Sequence, residues 1–295
     1  MIIVKLIGGL GNQMFQYAAA YSLARKLKQP LLIDNLYYRD TSKRRHRFTY
    51  RPYGLSLFNI SAEIATPKQI TKFTLPRIFN KYIYNVLRRI FPEHNMWNEN
   101  LLRSYLYDTQ TIAGKNGGGY LEGFFQDYSF FESYLDDLKG EFVFKEPISK
   151  QSIPVLEDIE RSKSICIVFR RGDYVGHPVL DIIGLDYYYQ ALSYFTKDHK
   201  IFVFSDDIPW CIDNFKPEGF KVHFVDQMHT GDLGGNYLQI MMKCNNFIIP
   251  NSTYPYWAAL LSPSKNKKVI APKVWFKGQD SSERNSILPP EWIAI

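Results

Sequence analysis

Arg170 and Arg171 stand side by side in this 295-residue chain and are followed by Gly172, Asp173 and Tyr174. A guanidinium stays charged at any physiological pH and forks two donors onto neighbouring oxygens of a phosphate or carboxylate. The pair directly follows an apolar run, Ser164–Phe169, that reads as a buried strand. Open α/β sheets collect ligands at the carboxyl ends of their strands, so the two arginines read as an anion site. The alternative is a surface ion pair with Asp173. In the first reading Asp173 orients an arginine, because an adjacent cation keeps a carboxylate ionised and weakly basic.

Three further stretches carry suitable residue types. Gly8-Gly9-Leu10-Gly11-Asn12-Gln13 joins a strand pattern to a helix pattern. Glycines let backbone N–H groups approach a ligand, a helix start favours negative charge, and the Asn12 and Gln13 amides suit sugar hydroxyls or a diphosphate. A plain strand-to-helix turn remains the alternative, since Met14 stands where a dinucleotide fingerprint has its third glycine. Asn251-Ser252-Thr253 ends another apolar run just before a helix pattern, as a helix cap or a second phosphate cradle. Phe204-Ser205-Asp206-Asp207 ends a third, where the carboxylates can hold a metal, meet a ribose or sugar hydroxyl, or cap a helix. The six histidines show no ligand spacing, so the expected metal site is none. Cys166, Cys211 and Cys244 are odd in number and scattered, which fits reduced thiols in a cytoplasmic protein.

These residues need strands and helices to hold them. Ile2 to Ile7 reads as a buried strand, Gln13 to Leu27 as a helix and Leu31-Leu32-Ile33 as a second strand, a parallel β-α-β start. Beyond about residue 150, strand patterns recur at Ile165–Phe169, Ile201–Phe204, Val222–Val225, Phe247–Ile249 and Val269–Ala271. Helical patterns at Tyr187–Phe195, Tyr237–Cys244 and Tyr256–Leu261 alternate with them, which predicts a doubly wound parallel sheet. Pro147 and Pro154 flank a polar stretch, placing a boundary there and domains at 1–150 and 151–295.

Composition narrows the class. With 45% hydrophobic residues the chain can bury a full core. No apolar run reaches the roughly 18–20 residues of a membrane span, and the amino terminus enters a strand pattern without a signal-peptide pattern. The formal charge is +7, and basic residues concentrate in Arg39–Arg51, among aromatics, and on one side of an amphipathic helix pattern at Arg77–Phe91. Such charge attracts nucleic acid or an anionic membrane surface. No nucleic-acid-binding motif accompanies it, so the expectation is a cytoplasmic protein, with peripheral contact at the inner membrane face as an option.

In order along the chain, Gly8-Gly9-Leu10-Gly11-Asn12-Gln13-Met14-Phe15-Gln16-Tyr17-Ala18, Val168-Phe169-Arg170-Arg171-Gly172-Asp173-Tyr174, Phe204 to Cys211, and Asn251-Ser252-Thr253-Tyr254-Pro255-Tyr256-Trp257 resemble the signatures of one family. That family is the glycosyltransferase family 11 fucosyltransferases, which make alpha-1,2 linkages to galactose. The resemblance implies a GT-B-like α/β fold, two Rossmann-like parallel-sheet domains facing a cleft, the amino-terminal one on the acceptor side. It implies transfer of fucose from GDP-fucose with inversion, no cofactor, no metal, and a galactose-containing glycan acceptor, lipid-linked as one option. The catalytic residues implied are Arg170, Arg171 and Asp173. Donor contacts fall to Gly9, Gly11, Asn12, Gln13, Asp206, Asn251, Ser252 and Thr253. Glu122 and Asp127 are candidates to activate the acceptor, with structural roles as the alternative. Two positions depart from the family pattern: Val168 replaces a histidine, and Tyr237 an acidic residue suited to the guanine, for which Asp226, Asp232 and Asn236 are nearby substitutes. A related transferase with another nucleotide-sugar donor, or a basic nucleic-acid-binding protein, are the competing readings.

Overall fold

The computed structural model describes residues 1–39, 51–74, 96–97, 118–279 and 286–295. The basic helix expected at Arg77–Phe91 and residues 40–50 of the basic segment lie outside the described residues. The chain forms two compact units, Met1–Val143 and Phe144–Ile295, dividing a few residues before the proline-flanked stretch.

In the first unit, β1 (Ile2–Lys5), β2 (Leu31–Asp34), β3 (Glu63–Ile64), β4 (Met96–Trp97) and β5 (Gly119–Leu121) form one sheet in the order β3-β2-β1-β5-β4. Every neighbouring pair is parallel. The helix Leu10–Leu27 makes the β1-to-β2 crossover and buries Met14, Phe15, Tyr17, Ala18 and Leu23. It ends at Lys28, whose left-handed backbone (φ 52°) turns its N–H back to the carbonyls of Ala24 and Arg25. Arg25 and Lys26 lie in the last turn, where the helix dipole favours positive charge.

The second unit holds β6 (Ser164–Phe169), β7 (Lys200–Ser205), β8 (Lys221–Phe224), β9 (Asn246–Ile248), β10 (Val269–Ala271) and β11 (Ile293–Ala294), in the order β11-β10-β9-β6-β7-β8. All pairs are parallel. Counted from β6, this is the 3-2-1-4-5-6 order of a dinucleotide-binding sheet, with its direction reversing between β6 and β9. All six residues of β6 are buried, as expected of a central strand covered on both faces. Ile165, Ile167 and Phe169 pack there with Tyr188, Leu192 and Phe215.

The predicted strands of this unit all form within a residue or two. The predicted helices form as Leu185–Leu192, Gly235–Met242 and Thr253–Leu261, the first two set slightly earlier than their patterns suggest, and an unexpected helix, Ile153–Glu160, precedes β6. A further helix, Ile208–Asn214, follows β7, and the short strands β3, β4, β5 and β11 were not expected. All three cysteines are free and buried, and burial pushes the Cys211 thiol up to about 11.

Candidate functional site

The arginine turn leaves the carboxyl end of β6 and meets the carboxyl ends of β7 and β9. Arg170 is the more tightly held. Its Nη1 donates to Asp206 Oδ2 and its Nη2 to Asp173 Oδ1, with the guanidinium 5.3 Å from the Tyr174 ring centroid. Arg171 lies 3.6 Å over the Trp210 indole, its Nε 3.1 Å from Asp207 Oδ2. Asp206 also accepts the Arg171 backbone N–H at 2.9 Å, so one carboxylate fixes both the turn and the first guanidinium. That approach is close. A Cβ on Gly172 would lie 2.7 Å from Asp206 Oδ2, so any larger residue there forces the carboxylate or the turn to shift.

The two carboxylates of Ser205-Asp206-Asp207 have different partners. Asp206 holds Arg170. Asp207 caps the Ile208–Asn214 helix through Trp210 N–H at 3.2 Å while holding Arg171. Among the described residues no group of three or more His, Cys, Asp or Glu side chains is arranged to hold a metal ion. Asp206, expected at the donor, is thus engaged by the arginines through both oxygens.

Across the point where strand order reverses, β9 leads into Asn251, Ser252 and the Thr253–Leu261 helix. Ser252 is the N-cap, yet its side chain makes no capping bond. The Tyr174 hydroxyl donates to Asn251 O at 3.2 Å, and burial raises its pKa, so it stays protonated as a donor. Arg170, Arg171, Tyr174 and Asn251 line one cavity of about 150 Å³, with Phe169, Leu180 and Trp210 among its other walls. The structure therefore brings Arg170, Arg171, Asp173, Asp206 and Asn251 together. Sequence reasoning missed Trp210 and Asp181 as members of this site, while Asp207, one of the two carboxylates already singled out, takes the helix-cap alternative at an Asp-x-Pro start.

The glycine turn of the first unit is differently used. Gln13 is fully buried: its Nε2 donates to the carbonyls of Gly8 (3.1 Å) and Pro52 (2.9 Å), and its Oε1 accepts Gly54 N–H at 2.8 Å. Gln16 likewise ties Ile7 to Gly123, and Asn12 accepts from Gln126 at 3.1 Å. Gln13, expected to contact the donor, is instead spent on the fold, because no atom of its amide is left exposed. Gly8 has φ +80°, and a Cβ there would meet Asn12 Nδ2 at 2.7 Å. Around Gly9 the nearest atom to an added Cβ is Arg51 Cγ at 3.8 Å, while Gly11 is buried in the first helical turn. Glu122 pairs with Lys5, and Asp127 is fully buried with Oδ1 capping Ser129.

At the departing positions, Val168 is a buried β6 residue, and the Tyr237 hydroxyl donates to Val225 O at 2.6 Å. Of the proposed substitutes, Asn236 is spent within the protein: its Nδ2 donates to Ser152 Oγ and His229 O, and its Oδ1 accepts Ser149 N–H. Asp226 and Asp232 remain exposed. Among the described residues no helix is long and apolar enough to cross a membrane.

Comparison with known proteins follows the same lines. The model of Glycosyl transferase family 11 matches residues 1–295. An O-antigen biosynthesis glycosyltransferase, WbnK of Escherichia coli, is 32% identical over 98% of this chain and 99% of its own. An alpha-1,2-colitosyltransferase of Escherichia coli is 27% identical over 100% and 99%. The galactoside alpha-(1,2)-fucosyltransferase 1 of Bos taurus is 23% identical over 98% and 74%. In fold, a crystal structure of NodZ alpha-1,6-fucosyltransferase soaked with GDP-fucose matches at a TM-score of 0.53, covering 92% of this chain and 95% of that one at 14% identity. The architecture is thus GT-B-like, built of two parallel α/β units.

Proposed function

Since the chain belongs to glycosyl transferase family 11, we propose that it transfers fucose from GDP-fucose to a hydroxyl of a galactose-containing glycan, forming an alpha-1,2 linkage with inversion and without a metal. One observation carries the reading: two guanidiniums, held by carboxylates, stand where the strand order of the second unit reverses. In the transfer, the bond between the sugar C1 and the diphosphate oxygen breaks and its electron pair leaves with the diphosphate. The acceptor oxygen bonds to C1 and gives up its proton. The difficult part is the charge gathering on the departing diphosphate, which fixed cations stabilise without reorganising.

The residues fit those demands in different ways. Asp173 and Asp206 hold Arg170 in one orientation before any ligand arrives, which removes part of the ordering cost of binding. The Trp210 face and Asp207 do the same for Arg171. Ser252 and Thr253, at the start of a nine-residue helix, add the favourable end of a helix dipole. The first unit, with its glycine turn, supplies the acceptor side in this reading.

A colitosyl donor is the second reading, favoured by the 27% identical alpha-1,2-colitosyltransferase. Incubating the protein with GDP-fucose, a GDP-colitose donor and UDP-sugars, with a galactoside and EDTA, separates the two. Transfer from GDP-fucose that survives EDTA is the expected result. Transfer only from a uridine donor with added divalent metal overturns the proposal.

A further inference from the structure

Asn251 carries an oxygen with nothing to do. The residue is 1% exposed, and its Nδ2 donates to Leu180 O at 3.1 Å and to Trp275 O at 2.9 Å. Both partners are carbonyls, so the network fixes the amide: nitrogen toward them, Oδ1 away. Oδ1 is buried and meets no donor among the described residues. A buried acceptor left unpaired carries its full desolvation penalty, so such a group stands out in a native fold. Asn251 also lines the cavity beside Arg170 and Arg171.

The chemistry of that oxygen excludes one role and suggests another. With both N–H donors spent, the side chain has nothing to offer a phosphate, and its partial negative charge repels one. It can only accept, from a hydroxyl or an N–H. A second acceptor lines the same cavity: Asp181, whose Oδ2 takes Gly176 N–H at 2.7 Å. Most remaining walls are apolar, including Leu180, Ile183 and Leu185. At about 150 Å³ the space is below the roughly 300 Å³ at which pockets for drug-sized ligands begin, and suits a single ring.

We propose that this cavity seats the glycosyl ring of the donor, with Asn251 Oδ1 and Asp181 each accepting a hydrogen bond from a ring hydroxyl. Asn251 is then a specificity-determining residue for the sugar and leaves the diphosphate to the arginines. The inference rests on the sugar-nucleotide reading above and adds to it where the ring lies and which atoms read it.

The test compares binding of GDP, GDP-fucose and GDP-fucose analogues lacking one ring hydroxyl each, by calorimetry, to the wild type, Asn251→Ala and Asp181→Asn. One analogue binds the wild type about tenfold more weakly than GDP-fucose, Asn251→Ala loses the same factor for GDP-fucose, and that variant no longer distinguishes the two. Asp181→Asn, a near-isosteric change on an exposed residue, shows the same pattern with a different hydroxyl and stands alone should Asn251→Ala not fold. GDP itself binds all three proteins within twofold. Equal binding of every analogue to the wild type overturns the inference, as does a parallel loss of GDP affinity in the variants. A wild type that binds neither GDP nor GDP-fucose overturns the sugar-nucleotide reading itself.

Discussion

Each unit places a turn after the central strand of a parallel sheet, and the two turns spend their polar groups in opposite directions. After β1 the amides of Gln13 and Gln16 point inward and stitch the turn to Pro52, Gly54 and Gly123. After β6 the guanidiniums of Arg170 and Arg171 stay a fifth to a quarter exposed, steadied by carboxylates at the surface and flanking a cavity. Neutral amides can be buried once both ends are paired, whereas a buried charge costs far more than its partners return. Side-chain type therefore decides which turn becomes scaffold and which remains available to a ligand. The Gln13 and Gln16 amides of the first turn thus belong to the scaffold.

Breaking the second turn should cost activity and little stability. Arg170→Ala is predicted to lower kcat on the order of 10²–10³-fold, about 3–4 kcal/mol of transition-state stabilisation, with a denaturation midpoint near that of the wild type. Arg170→Lys should recover only a small part, because an ammonium cannot fork between Asp173 and Asp206 while facing a phosphate. Breaking the first turn should do the reverse. Gln13→Ala leaves Gly54 N–H and the Gly8 and Pro52 carbonyls without their partner, and is predicted to cost about 2–3 kcal/mol of unfolding free energy. The folded fraction should keep kcat within a few-fold. A Gln13→Ala protein of wild-type stability but lost GDP affinity would erase the distinction between the turns.

The same contrast explains what could be read from the residues alone. Strands β6, β7 and β10 announce themselves as apolar runs, and their order follows from alternation with helices. The arginine site was legible because two cations directly after a buried strand must face either a counter-ion or an anionic ligand. Gln13 was not, since an amide gives no sign of whether its partners are a ligand or a carbonyl distant in sequence, such as Pro52. The helix Ile208–Asn214 is too short for a period to show, and β3 and β11, two residues each, exist only through pairing with a neighbour. Asn251 was read as a cap or phosphate ligand, while its clamp to Leu180 and Trp275 depends on chain reversals no local pattern encodes.

A smaller change sharpens the comparison at Gly172. An alanine there puts a methyl 2.7 Å from Asp206 Oδ2, which must move away from Arg170 or push the turn outward. Gly172→Ala is predicted to lower kcat/KM for the donor about tenfold, or roughly 1.4 kcal/mol, with stability changed by less than that amount. Steady-state kinetics beside chemical denaturation checks it. A variant with unchanged kcat/KM would mean that the Asp206–Arg170 contact does not position the guanidinium for the reaction.

The smallest effect is expected where charge is clustered without a ligand to serve. Asp158 accepts from Lys200 Nζ at 2.7 Å and from His223 Nδ1 at 2.9 Å, Lys200 being the first residue of β7, away from the edge that carries the arginines. Desolvation works to raise the Asp158 pKa, but Lys200 and His223 outweigh it and hold the carboxyl below its usual value. A carboxylate depressed in the folded state stabilises the protein at pH above its unfolded value, near 3.9, and loses that contribution as pH falls through the folded value. Asp158→Asn should therefore cost about 1 kcal/mol at pH 7, where partial exposure screens the cluster, and leave kcat unchanged. The gap between the two urea midpoints should narrow as the pH is lowered past 4 and vanish in stronger acid. A gap that is constant from pH 7 to pH 3 would show that the carboxylate's charge is not what holds β7 and β8 to the Ile153–Glu160 helix.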